Sequence, residues 1–389
     1  MEIKGKIILK AGKEQSVLRR HPWLFSGAIN KTEGNVTDGD WVTVVDANGE
    51  VLGHGHHQKG SITVRLLSFD KAAPRPDFYT EKISTAARQR ANININYTTT
   101  NAHRLIHGEG DGLPGLIVDM YNGVAVVQAH SHGMHADRNA IAQAIKDVYD
   151  HNVNAVYYKN QLRGNTRGEY LLGMSVVPHT ILEHNHKFLV DWEEGQKTGF
   201  FLDQRENRML LGSYAMNRTV LNTFCYTGGF SVYAAQAGAA LVHSVDASER
   251  AVEMARKNLQ LNGFDPSQHE CFTEDTFDFL KDKHDRYDLI ILDPPAFAKH
   301  KDSKHQAMKG YQRLNLEAIK KVKSGGIIFT FSCSQVVDRQ LFYDTVVSSA
   351  IQSGREIKVL QHLSQPGDHP VSIYHREGEY LKGLVLYVA

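Results

Sequence analysis

Apolar residues in the second half of the chain come in compact runs separated by longer amphipathic stretches. Four such runs lie at residues 219–221, 241–245, 289–292 and 327–331, and helical segments fill the intervals. Continuous apolar strands that alternate with helices are typical of a parallel sheet covered by helices on both faces. The pattern therefore predicts a doubly wound, Rossmann-like α/β domain beyond about residue 200.

The first part of the chain has short β-rich segments that lie close together. Residues 42–46 and 62–66 are rich in β-branched side chains, and residues 46–49 supply turn chemistry. Closely spaced short strands favour a small β-barrel or sandwich. Pro74 and Pro76 then indicate a linker, because each proline restricts the residue before it.

Between these two parts the sequence predicts a central α+β region. Its predicted elements are a helix at 79–91, a strand pair at 116–119 and 124–127 turning at Asn122-Gly123, a helix at 136–148, a strand at 155–158 and a hairpin around Asn185-His186. The predicted domains are therefore residues 1–70, 71–190 and 191–389.

Composition narrows the class of protein only in part. The chain has 389 residues and a net charge of +1, so affinity for nucleic acid has to come from local basic patches. No apolar run reaches the roughly 18 residues of a membrane span, and the start lacks a signal-peptide pattern. Three cysteines are too few, and odd in number, for a disulfide framework. We therefore expect a reducing, cytoplasmic setting and no membrane partner.

A glycine pair marks the predicted cofactor loop. Gly228 and Gly229 lie between the first apolar strand and the next helix, where the backbone can approach a ligand closely. Asp246 ends the second strand about 20 residues later, the spacing at which a carboxylate reaches ribose hydroxyls. The structural alternative is a packing turn followed by an exposed acid. Because the loop lacks both the three-glycine fingerprint and a P-loop, the predicted ligand is S-adenosylmethionine (SAM), which has no phosphate.

Other residues near this loop are candidates for the same ligand. Asp275 lies where the third strand should end, and it either accepts a hydrogen bond from the adenine amine or caps the next helix. Gln204 and Arg205 belong to a stretch suited to closing over the methionine end of SAM. The predicted cofactor-binding set is Gln204, Arg205, Phe224, Tyr226, Thr227, Gly228, Gly229, Asp246, Ala247, Asp275 and Asp293.

Two residues at the next strand ends are candidates for the chemistry. The fourth strand leads into Asp293-Pro294-Pro295, a rigid exit that presents Asp293 to the crevice beyond the sheet. Cys333 follows the next strand. A lone cysteine there is most often a buried packing residue, but a thiolate facing the same crevice is able to act as a nucleophile.

Basic residues suggest where RNA would be bound. Lys299, Lys301 and Arg313 follow Asp293, and they form either a solvated helix face or a set of phosphate contacts. Arg20 and Trp23 lie among cations and aromatics that suit RNA phosphates and bases, although core packing explains Trp23 equally well. No metal site is predicted.

Taken in order, these motifs resemble the bacterial large-subunit (23S) ribosomal RNA cytosine-5 methyltransferase family. The resemblance covers nearly the whole chain. It is carried by RHPW at 20–23, GDGLPGL at 110–116, GFFLDQR at 199–205, YTGGF at 226–230, DPP at 293–295, FSCS at 331–334, DHP at 368–370 and YLKG at 380–383. It implies an N-terminal PUA domain, a class I methyltransferase domain, SAM as cofactor and 23S rRNA as partner, with a homodimer left open.

The resemblance also implies a reaction. Cys333 would add to carbon 6 of cytosine, carbon 5 would then take the methyl group, and loss of its proton would expel the cysteine. Asp293 would hydrogen-bond or protonate the ring nitrogen as the thiolate adds. The base has to be single-stranded or flipped out of its stack.

One position departs from the wider pattern of RNA cytosine-5 methyltransferases. Many carry a second cysteine just after the Asp-x-Pro motif, where this chain has Ala296, so the proton-abstracting base is left unidentified. Cys225, in the cofactor loop, is predicted to be a packing residue. Two alternatives stay open. One is methylation of an exocyclic base amine, whose motif Asp-Pro-Pro resembles although Ala296 stands before the aromatic Phe297, and the other is a non-catalytic RNA-binding or assembly factor.

Overall fold

The computed structural model describes residues 2–93, 95, 98–160, 168–265, 267–282, 287–298 and 301–389, without the side chains of Asp282 and Lys301. The chain divides into two units. The first consists of Met1–Ile181, Val190–Leu202 and Gly367–Gly378, and the second of Leu182–Leu189, Asp203–Pro366 and Glu379–Ala389. The domain boundaries predicted at residues 70 and 190 stay a prediction.

The first unit begins with a six-stranded sheet. Its elements are β1 (Ile3–Leu9), α1 (Gln15–Leu18), β2 (Trp23–Phe25), β3 (Ile29–Glu33), β4 (Trp41–Val45), β5 (Val51–His57) and β6 (Ile62–Ser68). The strand order is β2-β6-β5-β4-β1-β3, with β1 and β4 parallel and the other pairs antiparallel. Val42, Val44 and Val64 pack in its core, because alternate residues of a strand face the same side. The β-rich segments predicted at 42–46 and 62–66 are confirmed as β4 and β6.

A second sheet of five strands follows in the same unit. Its elements are α2 (Phe78–Asn92), β7 (Ala102–His107), β8 (Leu116–Tyr121), β9 (Val124–Ala129), α3 (His132–Ala136), α4 (Arg138–Tyr149), β10 (Ala155–Tyr158) and β11 (Glu169–Leu172). The strand order is β11-β10-β9-β8-β7, and Ile83 of α2 and Ile145 of α4 share one core with Val118 of β8. The predicted helix at 79–91, the turn at Asn122-Gly123 and the strand at 155–158 are confirmed, and the helix predicted at 136–148 is α4.

Buried ion pairs hold the first unit together and explain two of the sequence motifs. The Arg90 guanidinium pairs with the Asp111 carboxylate, and both side chains are almost fully buried. Arg90 also donates to the backbone oxygen of Asp368 at 2.8 Å, and the Asp368 carboxylate accepts the backbone N–H of Arg104 at 3.0 Å. These bonds attach the segment Gly367–Gly378 to residues far earlier in the chain. The GDGL and DHP motifs therefore have structural roles here.

A two-stranded hairpin, β12 (His179–Glu183) and β13 (His186–Val190), turns at His184 and Asn185. Within the second unit, the buried Glu183 carboxylate accepts two hydrogen bonds from the Arg208 guanidinium, each 2.7 Å long. Removing one partner of such a pair leaves an uncompensated buried charge, so this pair anchors the end of the hairpin.

The second unit is built around a seven-stranded sheet. Its elements are α5 (Arg205–Gly212), β14 (Thr219–Thr223), α6 (Gly229–Gln236), β15 (Leu241–Asp246), α7 (Glu249–Leu261), β16 (Cys271–Thr273), α8 (Thr276–Asp282), β17 (Tyr287–Leu292), α9 (Lys304–Lys321), β18 (Val322–Ser332), α10 (Arg339–Ser353), β19 (Ile357–Ser364) and β20 (Lys382–Val388). The strand order is β16-β15-β14-β17-β18-β20-β19. The first five strands of that order are parallel, and β20 is antiparallel to both of its neighbours.

The predicted doubly wound α/β fold is confirmed by this sheet. Residues 289–292 are fully buried, as a strand covered on both faces requires. Among the described residues, no helix is long and apolar enough to cross a membrane.

Candidate active site

Four of the predicted functional residues lie at the carboxyl ends of adjacent strands in the seven-stranded sheet. Phe224 directly follows β14, Asp246 ends β15, Asp293 directly follows β17 and Cys333 directly follows β18. The strand order β15-β14-β17-β18 makes these ends neighbours. Because ligands of open α/β sheets bind beyond the carboxyl ends of the strands, this edge is the candidate active site.

The Cys333 thiol lies beside the rigid exit of β17. Its Sγ atom is 3.9 Å from the carbonyl oxygen of Pro294. Nearby, the Tyr311 hydroxyl accepts a hydrogen bond from Ser332 Oγ at 3.0 Å. Burial raises the pKa of Tyr311 to about 12, and negative charge on Cys333 and Asp293 acts in the same direction. Tyr311 is therefore a neutral hydroxyl at neutral pH, and it lies within electrostatic reach of both candidate catalytic groups.

The loop after β14 has a strained backbone. The φ angle is positive at Phe224 (53°), Tyr226 (46°) and Gly228 (79°). A Cβ atom at Gly228 would lie 2.9 Å from the Cβ of Ala255, so both the backbone conformation and the close helix packing require glycine there. Left-handed residues with side chains cost of order 1–3 kcal/mol each, and they cluster at ligand clamps. The geometry therefore favours a binding loop over an ordinary packing turn.

Asp246 holds this loop in place. One carboxylate oxygen accepts the backbone N–H of Tyr226 at 2.9 Å, and the other accepts that of Ser248 at 2.9 Å. A carboxylate has about four lone-pair positions, so a half-exposed Asp246 keeps acceptor capacity for two ribose hydroxyls. Ala247, next to it, is exposed. This donor and acceptor set fits the adenosine part of SAM and offers no phosphate cradle.

Two further cofactor candidates have structural partners. The Asp275 carboxylate accepts the backbone N–H groups of Phe277 (2.8 Å) and Asp278 (3.2 Å), so the helix cap is present and the adenine contact stays a prediction. Thr227 is buried, and its carbonyl oxygen accepts a hydrogen bond from the Asn258 amide at 2.8 Å.

Gln204 and Arg205 are both buried, at the start of α5. The Gln204 side-chain oxygen accepts a hydrogen bond from the Asn207 amide at 2.6 Å, and Arg205 Nε donates to the Glu206 carboxylate at 3.0 Å. Their contact with the methionine end of SAM stays a prediction.

Two of the candidate RNA-binding residues lie in the first unit. The Arg20 guanidinium is 5.9 Å from the centre of the Phe69 ring. Trp23 donates its indole N–H to the Glu109 carboxylate at 2.9 Å, and its ring centre is 4.3 Å from that of His375. Trp23 is thus a packed residue, which is the alternative that the sequence left open.

The remaining candidate RNA-binding residues follow β17. Lys299 lies outside the described residues, and so does the side chain of Lys301. Arg313 is exposed on α9, and its guanidinium lies 4.9 Å from the centre of the Phe277 ring.

The three cysteines differ in their surroundings. Cys225 and Cys271 are buried, whereas Cys333 is partly exposed. Burial raises the pKa of the Cys225 thiol well above its usual value, and the negative charge of Asp246 adds to that effect. Burial likewise raises the pKa of Cys271. Of the three thiols, only Cys333 combines access to solvent with a place at the strand ends.

Sequence reasoning missed two features. Lys382 was part of a recognised motif but received no role, and its side chain is buried near Cys333. In the first unit, His21, His375 and Glu377 bring possible metal-ligand atoms within 4.8 Å of one another. Because His21 lies more than 350 positions before His375 and Glu377, no spacing motif was able to predict their contact.

Comparison with known proteins decides the family. A family model described as S-adenosylmethionine-dependent methyltransferase matches residues 103–372, and one described as a PUA-like domain matches residues 7–69. The chain belongs to the S-adenosylmethionine-dependent methyltransferase family. The cofactor predicted from the missing phosphate fingerprint is therefore confirmed as SAM, and the PUA-like domain implied by the resemblance is confirmed as well.

Relatives of this methyltransferase match over almost its whole length. Proteins named ribosomal RNA large subunit methyltransferase I are 39% identical in Aeromonas hydrophila and 37% identical in Escherichia coli, each over 98% of this chain and 99% of the relative. Among solved structures, a protein from Streptococcus mutans assigned as a SAM-dependent methyltransferase is 26% identical with a TM-score of 0.84, and a methyltransferase complexed with SAH is 26% identical with a TM-score of 0.86. Both are covered in full, as is this chain.

Replacing Asp246 by alanine is expected to weaken SAM binding by roughly 10- to 100-fold, since a hydrogen bond to a charged group contributes about 1.5–3 kcal/mol. The variant loses the predicted ribose acceptor and also the two hydrogen bonds that hold the loop. Isothermal titration calorimetry with SAM measures the change. Asp265→Ala is the matched control, because that exposed carboxylate also accepts a backbone N–H two residues later but precedes β16, away from the strand carboxyl ends. Equal affinity in Asp246→Ala and the control would contradict this assignment.

Proposed function

We propose that this methyltransferase acts on large-subunit ribosomal RNA and methylates carbon 5 of a cytosine through a covalent adduct with Cys333. The name shared by its full-length relatives supports the RNA substrate. One observation carries the carbon 5 chemistry: a partly exposed thiol at the end of β18, with its Sγ atom 3.9 Å from the carbonyl of the residue after Asp293. A nucleophile and an acid–base group next to each other are what activation of cytosine needs.

In this proposal each residue has a defined task. The Cys333 thiolate forms a bond to carbon 6 of the base, and the electron pair of the carbon 5–carbon 6 double bond shifts toward the ring nitrogen, which Asp293 hydrogen-bonds or protonates. When bound, SAM supplies the methyl group that carbon 5 accepts. A base then takes the carbon 5 proton, the ring nitrogen gives up the proton it received, and the carbon 5–carbon 6 double bond re-forms. This expels the sulfur of Cys333 as a thiolate, so the enzyme is regenerated.

The surroundings of Phe297 argue against methylation of an exocyclic amine. The amine-methyltransferase motif that Asp-Pro-Pro resembles has its aromatic directly after the second proline, where this chain has Ala296. Here the Phe297 ring centre is 4.7 Å from that of Tyr311, and a Cβ at Gly310 would come within 3.0 Å of the Phe297 ring. The ring is thus used in packing on α9, while the thiol, which amine methylation does not require, lies at the strand end.

Analysis of the methylated nucleoside tests the proposed function. The protein is incubated with isotopically labelled SAM and unmodified large-subunit rRNA, and the digested RNA is analysed by mass spectrometry. Labelled 5-methylcytidine is expected. A labelled nucleoside methylated on an exocyclic amine would establish the alternative chemistry, and a protein that neither binds SAM nor transfers a methyl group would be a non-catalytic factor.

A cleft in the first unit provides a further contact surface for RNA. It encloses about 780 Å³ between β6, the linker and α2. Arg20 and Lys82 line it, and neither side chain has a carboxylate partner among the described residues. The carboxylates around them already accept hydrogen bonds from other groups: Asp70 from Ser68, Glu81 from Arg75, Glu109 from Trp23 and Asp111 from Arg90. Within the described part of the chain these two cations lack a carboxylate partner and lie over aromatic rings, Arg20 at 5.9 Å from the centre of Phe69 and Lys82 at 5.5 Å from that of Phe78, so they suit a nucleotide phosphate.

Replacing Lys82 by alanine is expected to weaken rRNA binding several-fold at low salt and to reduce the salt dependence by about one counterion, as loss of one phosphate contact does. Burial lowers the pKa of Lys82, and a phosphate in the cleft would favour its charged form. Fluorescence anisotropy with labelled rRNA fragments over a salt series measures both quantities. Lys71→Ala, which removes an exposed lysine paired with Glu50, is the control. If the two variants have the same salt slope, the cleft does not bind phosphate.

A further inference from the structure

Lys382 lies beside the proposed nucleophile on the next strand of the sheet. It is the first residue of β20, and it pairs with Ser332, the last residue of β18 and the one before Cys333. Because β20 is antiparallel to β18, its beginning reaches the edge of the sheet where the parallel strands end. The fold thus brings a lysine to the thiol from 49 residues further along the chain.

The Lys382 side chain is unusually placed for a cation. It is only 4% exposed, and its ammonium donates to the carbonyl oxygens of Ser334 (2.5 Å) and Val337 (2.6 Å). Buried lysines are rare unless they are paired with a negative group. Among the described residues, no carboxylate forms an ion pair with Lys382. Two neutral carbonyls orient the ammonium and leave one of its three donors for another acceptor.

The charged groups around Lys382 all belong to the second unit. Burial lowers the pKa of Lys382 to about 8, negative charge on Cys333 opposes that shift, and the Arg339 guanidinium adds to it. The carboxylates of Glu379 and Asp338 also raise the pKa of Lys382. Glu379 in turn accepts a hydrogen bond from the Arg339 guanidinium at 2.7 Å. Asp293 and the neutral Tyr311 are further titratable groups near the thiol, because charges on Cys333 and Asp293 both act on the Tyr311 hydroxyl. Of these charged groups, Cys333 has the largest electrostatic effect on Lys382, so it is the candidate for the missing counter-charge.

We propose that Lys382 is a positioning residue for Cys333: its ammonium stabilises the thiolate, and its two hydrogen bonds hold the backbone that follows the cysteine. The step it assists is a simple ionisation, in which the S–H bond of Cys333 breaks and the proton passes to water. This inference rests on the proposed function only in assuming that Cys333 is the reacting group. Lys382 carries its proton on most molecules at pH 7 and loses it as the pH rises through about 8, so the effect belongs to neutral and lower pH.

The test measures ionisation of Cys333 directly, without RNA or SAM. The full-length protein is alkylated with iodoacetamide from pH 5.5 to 10, and the rate at Cys333 is read by peptide mass spectrometry; Cys225 and Cys271 are buried and serve as internal references. In the unaltered protein, the pH at which alkylation of Cys333 reaches half its maximal rate (the midpoint) is expected below about 8.5, the ordinary pKa of a thiol. In Lys382→Met it is expected to rise by about one pH unit, which means roughly tenfold slower alkylation at pH 7. Lys382→Arg, which keeps the charge, should restore most of the rate.

A purely structural lysine would give a different pattern. Loss of backbone support would change the maximal alkylation rate in Lys382→Met but would leave its midpoint where it is in the unaltered protein, and that result would overturn the inference. If circular dichroism shows that Lys382→Met does not fold, the alkylation midpoint of the unaltered protein is the test. A midpoint at or above about 8.5 would also overturn the inference. Failure of the proposed function has its own signature, because methyl transfer would then survive Cys333→Ala whatever the alkylation profile.

Discussion

Replacing Cys333 by alanine is expected to reduce methyl transfer to large-subunit rRNA by roughly a thousandfold or more, because the covalent route loses its nucleophile entirely. SAM affinity should stay the same, since the binding loop after β14 and Asp246 do not involve this side chain. Transfer of radiolabel from SAM to rRNA measures the rate, and calorimetry measures the affinity. A selective loss of rate with intact SAM binding would place Cys333 in the chemical step.

Cys271→Ala is the matched control for that experiment. Cys271 belongs to a strand of the same sheet that Cys333 follows, but it is buried at the start of β16 and burial raises its pKa. Its replacement is expected to lower thermal stability slightly and to leave the rate within about twofold, as removal of a small buried group away from the site does. Full activity of Cys333→Ala on rRNA would mean that no covalent adduct forms, and methylation of an exocyclic amine would then be the better account.

Replacing Asp293 by asparagine is expected to lower the rate by about 10²- to 10⁴-fold, the usual contribution of a positioned acid–base group. Asparagine keeps the volume and can still hydrogen-bond the ring nitrogen, but it cannot transfer a proton. Single-turnover methyl transfer separates this effect from RNA binding. Alkylation of Cys333 should not become slower, because the variant removes a negative charge near the thiolate and leaves Lys382 in place.

Asp288→Asn tests whether the effect is specific to the end of the strand. Asp288 lies on the same strand, β17, where its carboxylate accepts hydrogen bonds from Thr219 and from Lys323 at 2.9 Å. Its replacement should reduce stability and leave the single-turnover rate close to that of the unaltered protein. If the single-turnover rate falls equally in both variants, the fall comes from disturbance of β17 and not from loss of proton transfer at Asp293.

The parts of the fold that depend on local pattern were predictable from sequence. Strands such as β17 are continuous apolar runs, and the Asp-Pro-Pro exit and Cys333 follow two of them directly. Once parallel strands are predicted, the residues just after them are expected at one edge of the sheet. The placement of the candidate residues at the strand ends therefore followed from the sequence, as did the identity of SAM from the absence of a phosphate-binding fingerprint.

The parts that depend on long-range pairing were not predictable. Nothing local to Asp368 indicates that it binds Arg90 and Arg104, some 260 residues earlier or more. From the sequence, Lys382 is simply the polar first residue of a strand, and only its pairing with Ser332 brings it close to the Cys333 thiol. Trp23 had two equally good interpretations in the sequence, and its bond to Glu109 favours packing because it uses the indole N–H. In each case a distant partner decides the role of the residue.

Trapping the covalent intermediate tests the central claim most directly. The protein is incubated with tritiated SAM and large-subunit rRNA that contains 5-fluorocytosine. A fluorine at carbon 5 cannot leave as a proton does, so the cysteine adduct cannot be resolved. The proposed function predicts a labelled protein–RNA complex that survives denaturation and is absent in Cys333→Ala. Labelled RNA without any complex in the unaltered protein, or a complex that persists in Cys333→Ala, would contradict it.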